Sequence, residues 1–161
     1  MTLTALDPTD LKILSVLQNE GRISKTDLAE RVNLSPSPCW VRLQRLEDEG
    51  YITSYSANIV LDKLFSFSTV MVEVSLKSHT KNDFIRFEEA VQSMDHVVDC
   101  YATGGGIDYI LRIVAKDIDL YQKLIDEMLD ADIGIDRYFT YIVTKTVKSS
   151  NQIKINALLD N

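Results

Sequence analysis

One short stretch gathers the residue types that read a base pair. Ser37, Val41, Gln44 and Arg45 stand within nine residues, together with Arg42 and the chain's only tryptophan, Trp40. Glutamine can bond adenine, and arginine can bond guanine or a phosphate. A small apolar group can meet a thymine methyl. Setting Cys39 at zero on a helical wheel, with about 100° per residue, brings Leu43 and Leu46 within roughly 40° of it. Those three predict a buried stripe. Ser37, Val41 and Gln44 then face outward, with Trp40 and Arg45 on the two flanks. Trp40 has two readings: a contact to the DNA backbone, or a ring partly covering the core with its indole N–H in solvent.

The residues before this stretch, "LSPSPCW", read as a helix start. Proline is tolerated in a first turn, where the N–H groups have no intrahelical partner. Ser35 as N-cap with Pro36 at the first helical position fits a short turn. Pro38, however, disfavours helical geometry at Ser37, so Ser37 is an alternative cap. Either choice leaves Ser35, Ser37, Pro38, Trp40 and Val41 at the end that would enter a groove.

Charge supports the same face. The chain carries 17 Lys and Arg against 24 Asp and Glu, a formal charge of −7. That balance argues against a generally basic nucleic-acid coat but leaves room for a local patch. From Arg31 to Leu46 there are three arginines and no acid. This basic island on an acidic chain is expected to attract phosphate, with Arg42 and Arg45 as the phosphate holders.

A second constellation lies in "YATGGGIDY". Three successive glycines suggest backbone that approaches something closely. Free N–H groups in such a loop can hold a carboxylate, and Asp108 can pair with an ammonium. Tyr101 and Thr140 are expected as neighbours from adjacent strands. The plainer reading is a hairpin loop with an exposed aspartate. A nucleotide-binding loop fits poorly, because a strand rather than a helix follows the glycines.

The elements that must position these residues are legible from period and caps. Residues 7–49 read as three helices. Asp7 caps the first, with Pro8 and Asp10 in its opening turn, and Leu11, Ile13, Leu14 and Leu17 form its apolar side. Ser24 caps the second, with Leu28, Ala29 and Val32 inward. A tight turn leads to the third, which gives a helix-turn-helix arrangement. Residues 53–67 are rich in β-branched and aromatic types and predict a wing or linking strand. From Ser68 the period becomes two. "STVMVEVSL", "HVVDCYAT", "IDYILRIVA" and "RYFTYIVTKTV" predict four strands, with helices capped at Thr80 and Asp117 between them. The fold class is therefore α+β: a three-helix winged helix-turn-helix over 1–52, a wing or linker strand over 53–67, a ferredoxin-like βαββαβ domain over 68–147 and a tail over 148–161. The tail allows a final strand or a short helix.

These residues resemble the Lrp/AsnC family, the feast/famine transcription regulators. "LDPTDLKIL", "GRISKTDLAERVNLSPSPCWVRLQRLEDEGYI" and "TGGGIDYILRI" carry the resemblance, which runs from Leu6 to about Val147. It implies transcription control, dimers that assemble further, commonly to octamers, and often a free amino acid as effector. The family's loop, of the form TGxxD, matches Gly105 and Asp108 here. Gly104 stands where Ser or Thr is common, and Gly106 where a larger residue is usual, so fewer side chains remain to read a ligand.

Other chemistry is weak. His79 and His96 have no zinc-like spacing with Cys39 or Cys100, and both cysteines read as small core residues. No nucleophile–base pair or carboxylate pair supports catalysis, and no cofactor is called for. The start lacks a signal peptide's pattern, and no run reaches the roughly 20 apolar residues of a membrane span. The expectation is a cytoplasmic regulator whose dimer places two third helices in successive major grooves of a pseudo-palindromic site. Its effector would be an amino acid or related amino-carboxylate. The rival is a regulatory or oligomerisation subunit of a metabolic enzyme, without DNA binding.

Overall fold

Among the described residues, a short polar residue stands at the N-cap of each of the five α-helices. The computed structural model describes residues 6–149, 153–155 and 157. Helix α1 runs Pro8–Asn19 behind the Asp7 cap, with a complete capping box to Asp10. Helix α2, Lys25–Val32, starts at Ser24, whose hydroxyl accepts the Asp27 N–H. It ends at Asn33 in the left-handed region, φ 58°, a conformation that asparagine tolerates. Helix α3, Pro36–Asp48, has Ser35 as its N-cap, so Ser37 lies inside the helix. Ile13, Leu28, Ala29, Val32, Cys39, Leu43 and Leu46 form the core of the three helices, with Leu14, Leu17 and Tyr51 packed at its edge.

The chain divides into two compact units. The first holds the residues up to Ile59 together with those from Lys148 onward; the second spans Val60–Val147. The strand expected over 53–67 does not form. Those residues are irregular apart from a single 3-10 turn at Leu61–Lys63. β-branched composition creates no strand without a ladder to take up its N–H and C=O groups. Part of the tail lies outside the described residues. Where it is described it meets α1: the Gln18 amide donates to Ile153 O at 3.0 Å and accepts the Ile155 N–H at 3.2 Å.

The second unit runs β1 (Ser68–Leu76), α4 (Lys81–Gln92), β2 (Val97–Ala102), β3 (Tyr109–Ala115), α5 (Ile118–Asp130) and β4 (Ile135–Ile142). The four strands form one antiparallel sheet in the order β2-β3-β1-β4. The period-two expectation holds: Val70, Val72, Val74 and Leu76 are buried beside Leu111, Ile113, Phe87, Val91, Tyr121, Ile125 and Met128. Both helices therefore cover one sheet face. The other face carries Met71 and Glu73 of β1, flanked by Ile110, Arg112, Phe139 and Tyr141 in register. Cys39 is buried as expected, but Cys100 is exposed, because β2 is an edge strand.

Candidate DNA-reading and effector sites

On α3 the buried stripe is Cys39, Leu43 and Leu46. The outward residues Ser35, Ser37, Pro38, Val41 and Gln44 are exposed, Val41 most plainly at 67 %. The two flanks are occupied from neighbouring helices. Lys25 of α2 places its Nζ 3.1 Å from the centroid of the Trp40 ring, a cation held over the indole face. Trp40 is 37 % exposed, with Lys25 over one face of its ring. Lys25 also brings a positive charge to the edge of the reading face.

The arginine flank differs from expectation. Arg42 Nη1 donates to Asp7 Oδ2 at 2.6 Å and to Asp10 Oδ1 at 2.8 Å. Arg45 Nη2 donates to Asp10 Oδ2 at 2.6 Å. The Asp10 side chain is 1 % exposed, while those of Arg42 and Arg45 are 31 % and 35 % exposed. Arg45 Nε is buried with no hydrogen-bond partner among the described residues. The two carboxylates of α1 thus meet the two guanidinium charges of α3, one for one. The expectation of an acid-free island whose arginines are free for phosphate is corrected: the acids come from α1, more than 30 residues away in sequence. The Asp10 N–H first, and then the Arg42 guanidinium, hold the Asp7 carboxyl below its usual range. Asp7 and Asp10 in turn push the Arg42 guanidinium further up.

In the glycine loop, Thr103 N donates to Asp108 O at 2.8 Å and Asp108 N to Val74 O at 3.0 Å, which closes the turn. Gly105 has φ +139°, a conformation that favours glycine. A side chain built at Gly104, Gly105 or Gly106 would meet nothing within 4 Å. Within one protomer the loop therefore borders open space. Asp108 is 17 % exposed and already engaged. Its Oδ2 accepts the Leu76 N–H at 2.7 Å, and His79 Nε2 lies 3.1 Å from its Oδ1. His79, which has no zinc-like spacing in the sequence, thus stands at the loop.

Tyr101 stands on β2 next to the loop and is 58 % exposed. Thr140 is not its neighbour. It lies on β4, at the other edge of the sheet, three strand spacings or about 14 Å away. Its hydroxyl pairs with the Tyr121 hydroxyl at 2.5 Å, on the helix-covered face. The expectation that Thr140 joins the loop is corrected for a single protomer.

Comparison with known proteins settles the affiliation. Residues 6–53 match the winged helix-turn-helix DNA-binding model, and residues 69–153 match the Lrp/AsnC ligand binding domain. The chain belongs to the Lrp/AsnC family. It is 52 % identical over 143 residues to the transcriptional regulatory protein DoeX of Halomonas elongata, covering 89 % of this chain and 90 % of that one. It is 38 % identical over 150 residues to the leucine-responsive regulatory protein of Escherichia coli, covering 93 % and 92 %. Among solved structures, a Neisseria meningitidis regulator in complex with L-Met superposes with a TM-score of 0.86 at 32 % identity, over 96 % of this chain and 99 % of that one. An AsnC family regulator from Agrobacterium tumefaciens gives 0.87 at 32 % identity, over 95 % and 99 %. This Lrp/AsnC member is accordingly a DNA-binding transcriptional regulator and not an enzyme. Its C-terminal unit is the ligand-sensing, ferredoxin-like part. No helix among the described residues is long and apolar enough to cross a membrane.

Proposed function

We propose that the protein binds double-stranded DNA as a cytoplasmic homodimer, with α3 of each subunit in the major groove of a pseudo-palindromic operator. The observation that carries this reading is the composition of the exposed α3 strip. Ser37, Val41 and Gln44 project from a helix whose other sides are pinned by Cys39, Leu43 and Leu46 below and by α1 and α2 at the flanks. A rigid helix that presents hydroxyl, small apolar and amide groups suits base edges. Ser35 and Pro38 sit at the same end and approach the backbone. Footprinting on the DNA upstream of its own gene tests the reading. Protection over two half-sites about one helical turn apart is expected, and absence of protection at moderate salt would exclude it.

The second unit binds an amino acid or related amino-carboxylate at the 103–108 loop, with Tyr101 and the N–H groups of Gly104, Gly105 and Gly106 beside it. Three things support this: the open space over the three glycines, the acidic Asp108 at the loop's base, and the L-Met complex of the Neisseria relative. The ammonium of such a ligand would share Asp108 with Leu76 N–H and displace or adjoin His79. A Thr140 could reach the ligand only from another subunit. Calorimetric titration with the amino acids tests the reading; no heat with any of them would exclude it. Further assembly of dimers to octamers completes the proposal.

A further inference from the structure

We infer that Asp10 is a positioning residue for DNA reading: its buried carboxylate holds Arg42 and Arg45 away from phosphate and leaves the outward strip of α3 to read sequence. The inference rests on the DNA-binding role proposed above. It concerns a group on α1 that touches no base.

On the α3 wheel, Arg42 and Arg45 share the flank that faces α1, while Ser37, Val41 and Gln44 point outward. Asp10 lies at the third position of α1 and receives three donors. Asp7 N reaches its Oδ2 at 3.0 Å, Arg42 its Oδ1 at 2.8 Å and Arg45 its Oδ2 at 2.6 Å. The helix cap and the arginine clamp are therefore one structure, fixed by the same carboxylate. Asp7 supplies a second carboxylate to Arg42 but none to Arg45. Among the described residues Arg45 thus has its only ion pair with Asp10, and its Nε is buried.

A carboxylate is, in charge and in acceptor geometry, a stand-in for a phosphate. With Asp10 in place the α3 arginines add little net positive charge to the face. Sequence-independent attraction is thereby lowered relative to reading by base edges. Lys25, which stands over Trp40, is a cation beside the reading face that this carboxylate does not hold.

The test uses the full-length protein with two duplexes, its own upstream region and an unrelated sequence, titrated across a salt series by fluorescence anisotropy. Asp10→Asn keeps the volume but removes the charge, and frees Arg45 while Asp7 retains Arg42. The expected result is a salt slope steeper by about one unit, with tighter binding to the unrelated duplex and a lower ratio of specific to unspecific affinity. Arg45→Gln is the partner experiment, and it remains decisive if Asp10→Asn fails to fold. Its salt slope is expected to match that of the unsubstituted chain. A slope flattened by about one unit in Arg45→Gln would place that arginine on phosphate and overturn the clamp. A folded Asp10→Asn with unchanged slope and unchanged ratio would overturn it too. An unsubstituted chain that binds neither duplex would instead remove the DNA-binding role on which the clamp rests.

Discussion

At the scale of single residues, the outward face of α3 separates into side chains that are free and side chains that are held. Gln44 is free: it is exposed and central on the outward strip. Gln44→Ala is expected to cost about 1–3 kcal/mol of discrimination at one base step of each half-site, with little change elsewhere. Anisotropy titration against single-base operator variants would read this, and uniform weakening at every variant would assign Gln44 to the backbone instead. The free residues were legible in the sequence because a helical wheel needs only local period. The held ones were not. Arg42 and Arg45 look unpaired when α3 is read alone, since their counter-charges come from Asp7 and Asp10 across the helix packing. His79 meets Asp108 by the same kind of long-range approach, 29 residues apart. Charge counted along a sequence window misses charge brought in from the side.

At the scale of elements, local chemistry decided most outcomes. Asp7, Ser24, Thr80 and Asp117 each cap the helix that their sequence context predicts, because a cap bonds N–H groups two or three residues away. Segment 53–67 defeated the same approach, because a strand needs a partner that composition does not reveal. Thr140 was misplaced for a related reason: the two crossovers put β2 and β4 at opposite edges, however close their motifs seem in a list of loop neighbours. The caps make a pH prediction. The Asp83 carboxyl is held low first by the Ser78 hydroxyl and then by that of Thr80, as Asp7 is by its own bonds. Both folded-state values lie below the unfolded value of about 3.9. Their stabilisation is therefore full above that pH and is lost as pH falls through the folded-state values. Thermal melts are expected to be flat in this respect at neutral pH and to drop below about pH 4. In Asp83→Asn the part of the drop that belongs to the second unit should shrink; an unaltered acid limb would mean other carboxylates govern it. Packing makes a separate prediction. Phe87 is fully buried against the sheet and stacks near Tyr109 with ring centroids 4.5 Å apart. Phe87→Ala is expected to destabilise the second unit by about 3–5 kcal/mol, measured by denaturant unfolding followed in that unit.

At the scale of the whole molecule, the open face of the sheet is the feature that one protomer leaves unresolved. Both helices cover the other side, so Phe139, Tyr141 and Tyr101 stand half exposed or more, with Met71 and Ile110 between them. The Tyr141 hydroxyl donates to Glu73 at 3.2 Å and Arg112 pairs with Asp99 within this face, while Arg137, in register with Ser75, stands exposed at its end. A largely aromatic surface suits burial against a like surface, which is how an isologous dimer is built. Such a pairing brings two copies of α3 into one assembly, as the two half-sites of the proposed operator require. Phe139→Glu places a charge on the β4 side of this face, opposite Glu73, without touching the helix-covered core. Sedimentation is expected to show a shift from dimer toward monomer, while the far-ultraviolet dichroism and melting of the isolated subunit stay close to those of the parent. DNA affinity should fall with dimerisation and recover as protein concentration rises, because the loss is in assembly and not in the reading helix. A Phe139→Glu protein that remains dimeric would move the subunit contact elsewhere, and one that is monomeric yet binds the full operator as tightly would separate dimerisation from recognition.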